Sequence, residues 1–405
     1  MQRYVLDNGL VLWAHKGSFR RSHVILCTKA GYARDPPGKL GLAHLIEHLT
    51  IPEHLETIES LGCSVDGSTY RDYQTYECTL PVRSLPRFLE ILRSHVTFSD
   101  HPDSHIEKER NALMLEGGKK LDCPSDRCED LLNSMLEGVG SSQDELRGVK
   151  RVTRTDIQDF KSRYCVANNM VLVVVGKTDV TVVRDLAERV FGDLCTGSVP
   201  AISQLSMAGY GNKTEFVPSG LAYVAGGKYS ISPEHPEFVP LECAVRTFHS
   251  IDLWTSRMFR ELRLAHGLVY TPTANLEVQS AESSLLSWQV SCFPQNVGRV
   301  QSLIHGQLED LASKGPSAAE WYRVRKAMLA ELQNDICEAD EYANYLLSHE
   351  LHRHPLPTEY ARLIRKVTQR KIRDAAGKHL VGGYHTVCVL PEQKIARPFS
   401  HCAQE

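Results

Sequence analysis

Residues 41–49 read Gly41-Leu42-Ala43-His44-Leu45-Ile46-Glu47-His48-Leu49, and the rest of the chain can be read outward from them. On a helix, two histidines four apart lie one turn above the other on a single face. His44 and His48 can therefore grip one Zn²⁺. Glu47, on the edge of the same face, can take a proton from a zinc-bound water. This is the H-x-x-E-H order, the inverse of H-E-x-x-H with the same mechanics. Leu42, Leu45, Ile46 and Leu49 form an apolar stripe behind the histidines. Pro37-Gly38 makes a turn before this helix, and Pro52 stops it.

Two histidines do not complete a catalytic zinc site; a third ligand and an open position are needed. The segment Glu107-Lys108-Glu109-Arg110-Asn111-Ala112-Leu113-Met114-Leu115-Glu116 offers two candidates. Glu109 and Glu116 are seven apart, hence two turns apart on one helix face. One can ligate the metal while the other steadies a histidine from outside. Gly117-Gly118 follow at once and predict a helix break just after Glu116.

The chain has 405 residues, of which 42% are hydrophobic, enough for two or three domains with sizeable cores. Lys+Arg number 46 against Asp+Glu 49, a net charge of −3, so nothing in the charge argues for nucleic acid or an anionic membrane surface. The 12 cysteines form no C-x-x-C pair and often sit in apolar runs, which reads as reduced thiols in a cytoplasmic protein. There is no signal-peptide pattern and no apolar run long enough to span a membrane.

The order of elements repeats. Residues 4–6, the Asn8-Gly9 turn and residues 10–13 predict a hairpin. Strands follow at 22–30, 64–70 and 75–81, helices at 85–96, 103–116, 126–136 and 155–164, a buried strand at 170–176 and a helix at 180–191. After a Gly/Ser/Pro-rich stretch, the second half runs through strands and helices, including one helix over 358–380, to a closing strand at 386–390. We expect an α+β fold of two homologous halves, each a mainly antiparallel sheet packed with helices. The domains are 1–196 and 213–405, joined by a linker at 197–212.

On these motifs the sequence resembles the M16 peptidases, the pitrilysin and insulin-degrading family, and most of all its short, mitochondrial-processing-type branch. Glu109-Arg110-Asn111-Ala112-Leu113-Met114-Leu115-Glu116 matches the E-R-x-x-x-x-x-E that follows H-x-x-E-H there. Ser256-Arg257-Met258-Phe259 and residues 263–270 resemble its S-R-L-F and R-E-x-x-G-L-x-Y segments. The resemblance implies His44, His48 and Glu116 as Zn²⁺ ligands, Glu47 as general base and Glu109 as the outer carboxylate. It implies that Arg263 and Tyr270 contact substrate near the scissile bond, and that a peptide adds as a strand along Val65, Asp66, Gly67 and Ser68. Differences from the family pattern fall at residues 50–54, where a loop is shortened, at Asp66-Gly67, and at 249–254. The implied activity is zinc-dependent hydrolysis of small unfolded peptides inside a clamshell chamber, with maturation of one dedicated peptide as a variant. The implied partner is a second copy or a related M16 subunit. The alternative is a peptide-binding, non-hydrolytic subunit of such a heterodimer.

Overall fold

Strand-forming runs come in two sets of the same kind. The computed structural model describes residues 1–50, 55–63, 65–202, 209–250 and 253–392. Parts of several expectations therefore lie outside the described residues: the shortened loop at 51–54, residue 64 of the strand at 64–70, linker residues 203–208, 251–252 of the 249–254 stretch, and 393–405 of the second domain. The first set contains β1 (Gln2–Val5), β2 (Val11–Lys16), β3 (Ser22–Thr28), α1 (Leu42–Thr50), α2 (Leu55–Ser60), β4 (Val65–Thr69), β5 (Gln74–Leu80), α3 (Leu85–Thr97), α4 (Asp103–Asp122), α5 (Pro124–Glu137), α6 (Ser142–Val149), α7 (Arg154–Tyr164), β6 (Met170–Gly176) and α8 (Val180–Phe191). The second contains β7 (Asn212–Val217), β8 (Ala222–Ser230), α9 (Phe238–Phe248), α10 (Arg257–Phe259, continued by a π-helical turn Arg260–Ala265), β9 (Thr273–Val278), β10 (Ser284–Cys292), α11 (Val297–Lys314), α12 (Ala318–Asp335), α13 (Ala339–His352), α14 (Pro357–Lys366), α15 (Gln369–His379) and β11 (His385–Pro391).

The first sheet runs β1-β2-β6-β3-β5-β4 and the second β7-β11-β8-β10-β9. Without β1, the two orders match strand for strand. Each contains one parallel pair, β2 with β6 and β11 with β7, and is otherwise antiparallel. This is the expected α+β fold of two similar halves. Gly9, at φ +83°, supplies the left-handed residue of the β1–β2 connection.

Each sheet borrows a helix from the other half. Leu131, Leu132 and Leu136 of α5 pack with Ala225, Val387 and Val389 on the second sheet. Ala343, Leu346 and Leu347 of α13 pack with Ile25, Val171 and Val173 on the first. Burying both faces of β6 explains why all seven of its residues are apolar or glycine.

Four details differ from the sequence reading. α4 does not break at Gly117-Gly118 but runs on to Asp122. A Cβ on Gly117 would stand 2.6 Å from Leu146 Cδ2, so the glycine serves the close approach of α6 to α4. The helix predicted over 358–380 is two, parted at Val367-Thr368, where the Thr368 hydroxyl caps α15. α6, eight residues with Leu146 and Val149 as its apolar side chains, and the polar edge strand β7 are too short and too polar to stand out and were not predicted. His101 and His352, whose positions suggest solvent-facing side chains at helix ends, are buried.

Candidate metal centre

α1 is placed by both its ends and its back. The Asp35 carboxylate accepts from the backbone N–H of Gly41 at 2.7 Å and of Ala43 at 2.9 Å, satisfying donors the first turn leaves open. Burial pushes the Asp35 carboxyl up to about 7, against the lowering effect of those bonds. The expected stripe of Leu42, Leu45, Ile46 and Leu49 is buried, packed with Ile106 and Leu113 of α4, Val149 of α6, and Ile157 and Phe160 of α7. His44 and His48 are thereby turned away from the core, their ring centroids 4.9 Å apart.

α4 crosses in front of them. Glu116 Oε2 stands 3.3 Å from His48 Nε2 and 3.6 Å from His44 Nε2. One ligand atom from each of the three residues lies within 4.8 Å of the others. Two imidazole nitrogens and a carboxylate oxygen around a tetrahedral divalent ion, each at ~2.1 Å from it, stand roughly 3.4 Å apart. The donor set and its spacing fit such an ion, with a fourth position left for water. Arg110 ties α4 to the turn after α6, donating to the carbonyls of Val149 and Val152.

The outer nitrogens of both histidines face carboxylates. His44 Nδ1 is 2.8 Å from Glu145 Oε1, and His48 Nδ1 is 3.9 Å from Glu109 Oε2. Glu109 thus lies beside His48, but the shorter contact belongs to Glu145, which the sequence reading missed. The signal was there: Ser141 and Asp144 form a capping box, with mutual side chain to backbone bonds, that starts α6. A helix begun at 142 would have brought Glu145 into consideration. Burial pushes the His44 imidazole down, but the bond to Glu145 and the charges of Glu47 and Glu116 outweigh it, so its pKa is raised. The bond from His48, then Lys120 and His44, hold the Glu116 carboxyl well below the usual carboxylate range despite partial burial.

Glu47 is buried, and its Oε2 accepts from the Thr69 hydroxyl at 2.8 Å. Gln74 Nε2 donates both to Thr69 Oγ1 at 3.1 Å and to the Ala43 carbonyl at 2.6 Å, tying β4 and β5 to α1. One oxygen of Glu47 is thus anchored, and the other has no hydrogen-bond partner among the described residues. His44, Glu47 and Glu116 line one cavity of about 740 Å³, together with Asp66, Gly67, Ser68 and Thr69 of β4. β4 is the last strand of its sheet, and among the described residues it pairs with β5 alone and leaves its outer edge open. Val65 lies on the same strand with its side chain against the core. Asp126, Glu129, Asp130 and Glu137 line the far wall.

Arg263 and Tyr270 are brought to each other but not to this cavity. Arg263 Nη1 donates to the Tyr270 carbonyl at 3.0 Å. Its guanidinium stacks over the rings of Tyr270 at 4.3 Å, Phe259 at 4.9 Å and Trp254 at 5.8 Å. Tyr270 is 72% exposed and Trp254 67%. The neighbouring Arg257, in the segment resembling S-R-L-F, is a buried structural residue. It bonds Glu320 at 3.0 and 3.2 Å and Asp310 at 2.9 Å.

Two family models match the sequence. One, described as Insulinase (Peptidase family M16), matches residues 10–147, and the other, described as Peptidase M16 inactive domain, matches residues 151–328. Cytochrome b-c1 complex subunit 1 of Mus musculus is 23% identical over 422 residues, 96% of this chain and 87% of that protein. Mitochondrial-processing peptidase subunit beta of Pongo abelii is 22% identical over 404 residues, 93% of this chain and 81% of that protein. A peptidase M16 inactive domain from Pseudomonas fluorescens superposes with a TM-score of 0.87 at 15% identity, covering 97% of this chain and 98% of that one. A protease from Helicobacter pylori gives 0.86 at 19%, covering 96% and 99%. These likenesses show the fold.

Proposed function

Because this chain belongs to peptidase family M16, we propose that it is a zinc-dependent endopeptidase that cleaves small unfolded peptides in a clamshell chamber closed by a second M16 chain, a copy of itself or a related subunit, with one dedicated peptide as a variant of that reading. The observation that carries the proposal is the meeting of His44, His48 and Glu116 ligand atoms within 4.8 Å, with Glu47 lining the same cavity. Bound there, zinc supplies Lewis acidity and a water whose pKa falls to about 7.

The chain's own residues divide the remaining work. Glu145 accepts from the outer nitrogen of His44, and Glu109 faces that of His48 at 3.9 Å, which leaves each Nε2 lone pair facing inward. The free oxygen of Glu47 receives the proton of the attacking water and returns it to the leaving amine, while Thr69 holds the other oxygen. Asp66, Gly67 and Ser68 offer main-chain groups on the open edge of β4, so the peptide adds as a further strand and is recognised chiefly through its backbone. In this reading domain 1–196 carries the metal and 213–405 the Arg263/Tyr270 pair, with 197–212 between them.

A second reading is a peptide-binding, non-hydrolytic subunit. The description of the model over 151–328 as an inactive domain favours it, as does the separation of Arg263 and Tyr270 from the histidines. Zinc stoichiometry and a quenched-fluorescence peptide assay on Glu47→Gln separate the two. For the peptidase, zinc remains near one per chain while turnover falls by about 10³-fold or more. Wild-type protein that takes up zinc but cleaves nothing supports the binding subunit.

A further inference from the structure

Glu116 divides its two oxygens between two neighbours. Oε2 faces the two imidazoles, 3.3 Å from His48 Nε2 and 3.6 Å from His44 Nε2. Oε1 is 2.8 Å from Lys120 Nζ. Lys120 follows Glu116 by one turn of α4, the orientation in which such a pair is favourable on a helix. It can do so only because α4 continues through Gly117 and Gly118. Among the described residues that line this cavity, Lys120 is the one lysine or arginine. Its charge is also held by Glu145 and Asp130, so it is drawn toward the centre from more than one side.

A catalytic zinc needs an empty position. Two imidazoles and one carboxylate oxygen leave a fourth site for water, whereas a carboxylate that turns both oxygens inward fills it. Glu116 has room for that turn, because it sits at the partly exposed rim, with 40% of its side chain open to solvent. We infer that Lys120 is a positioning residue: by occupying Oε1 it limits Glu116 to one-oxygen ligation and keeps the water position of the zinc site open. This rests on the zinc reading above.

Two consequences follow when the lysine is neutralised. The metal gains a second carboxylate oxygen, and it loses a nearby positive charge that opposes its binding. Affinity and activity should therefore move in opposite directions, which mere loss of structure does not produce. The test compares wild type, Lys120→Met and Lys120→Arg. X-ray absorption on the zinc-loaded proteins counts first-shell donors, chelator competition gives the zinc affinity, and a quenched peptide gives turnover. Lys120→Met should show one added oxygen donor, zinc held at least tenfold more tightly, and turnover at least tenfold lower, with Lys120→Arg close to wild type. A Lys120→Met protein with no added oxygen, whatever its affinity, overturns the inference. So does one that binds zinc no more tightly than wild type. Zinc uptake by wild type with indifferent Lys120 variants removes this inference alone, while failure of wild type to bind zinc removes the metallopeptidase reading as well.

Discussion

At the scale of single residues, the site is a set of carboxylates told apart by distance. Glu145 lies at hydrogen-bond length from His44, while Glu109 is 3.9 Å from His48, too far for a full bond. Fixing an imidazole by its outer nitrogen raises its basicity and limits its rotation. Glu145→Ala should therefore weaken zinc binding by about 10- to 100-fold, and Glu109→Ala by less, as read by chelator competition. Equal effects would mean that the 3.9 Å contact closes when metal arrives. Glu109 was legible because it shares a helix face with Glu116. Glu145 was not legible from periodicity, because it comes from a separate short helix 29 residues beyond Glu116, marked in the sequence by the Ser141/Asp144 cap alone. Residues so far apart in sequence share no periodicity.

At the scale of elements, Arg257 joins the start of α10 to the start of α12. Glu320 is the third residue of α12, part of the Ser317 capping box, and receives two bonds from Arg257. Burial alone would push the Glu320 carboxyl up, but the Arg257 bonds and the Ser317 backbone outweigh it and hold it at about 2. A carboxyl with a lowered folded-state pKa stabilises the fold above its unfolded value, and that contribution fades as pH falls through the folded value. Wild type should accordingly lose on the order of 3 kcal/mol from this group between roughly pH 5 and pH 2. Glu320→Gln, less stable at pH 7, should show that much less acid sensitivity in urea unfolding followed across the same range. Parallel curves for the two proteins would remove the pair from the acid response. The motif segment Ser256-Arg257-Met258-Phe259 is thus explained by packing. Arg257 is buried in bonds to α11 and α12, and Met258 and Phe259 are in the core.

At the scale of the whole molecule, two halves of like topology exchange helices, so neither sheet is covered by its own half alone. Among the described residues the chain supplies one candidate metal centre, in the first half, and the Arg263/Tyr270 pair in the second, and the pair does not line the cavity beside that centre. A relative is named as a subunit of the cytochrome b-c1 complex and another as a peptidase subunit, and association with a second M16 chain is part of our proposal. In a homodimer that shares sites, mixing Arg263→Ala with Glu47→Gln protein should restore activity. The restored level is about a quarter of wild type, since half the dimers are mixed and each mixed dimer keeps one complete site. No recovery on mixing, with dimers present, would show that Arg263 acts within its own chain or not at all.

The sequence by itself determined the helix that carries His44, Glu47 and His48, its buried stripe and the two-fold repetition of strands and helices. Each of these depends on local periodicity, which a helix or strand imposes on neighbours a few residues apart. It also carried Glu116, because seven residues is a whole number of turns to a good approximation. Only the tertiary structure decided that α4 runs through Gly117-Gly118, because the reason is the side chain of Leu146 on another helix. Only the tertiary structure gave His44 its outer carboxylate, engaged the spare oxygens of Glu47 and Glu116 with Thr69 and Lys120, and kept Arg263 and Tyr270 away from the histidines. Those are contacts between elements, or between side chains at a helix rim, and packing alone sets their distances.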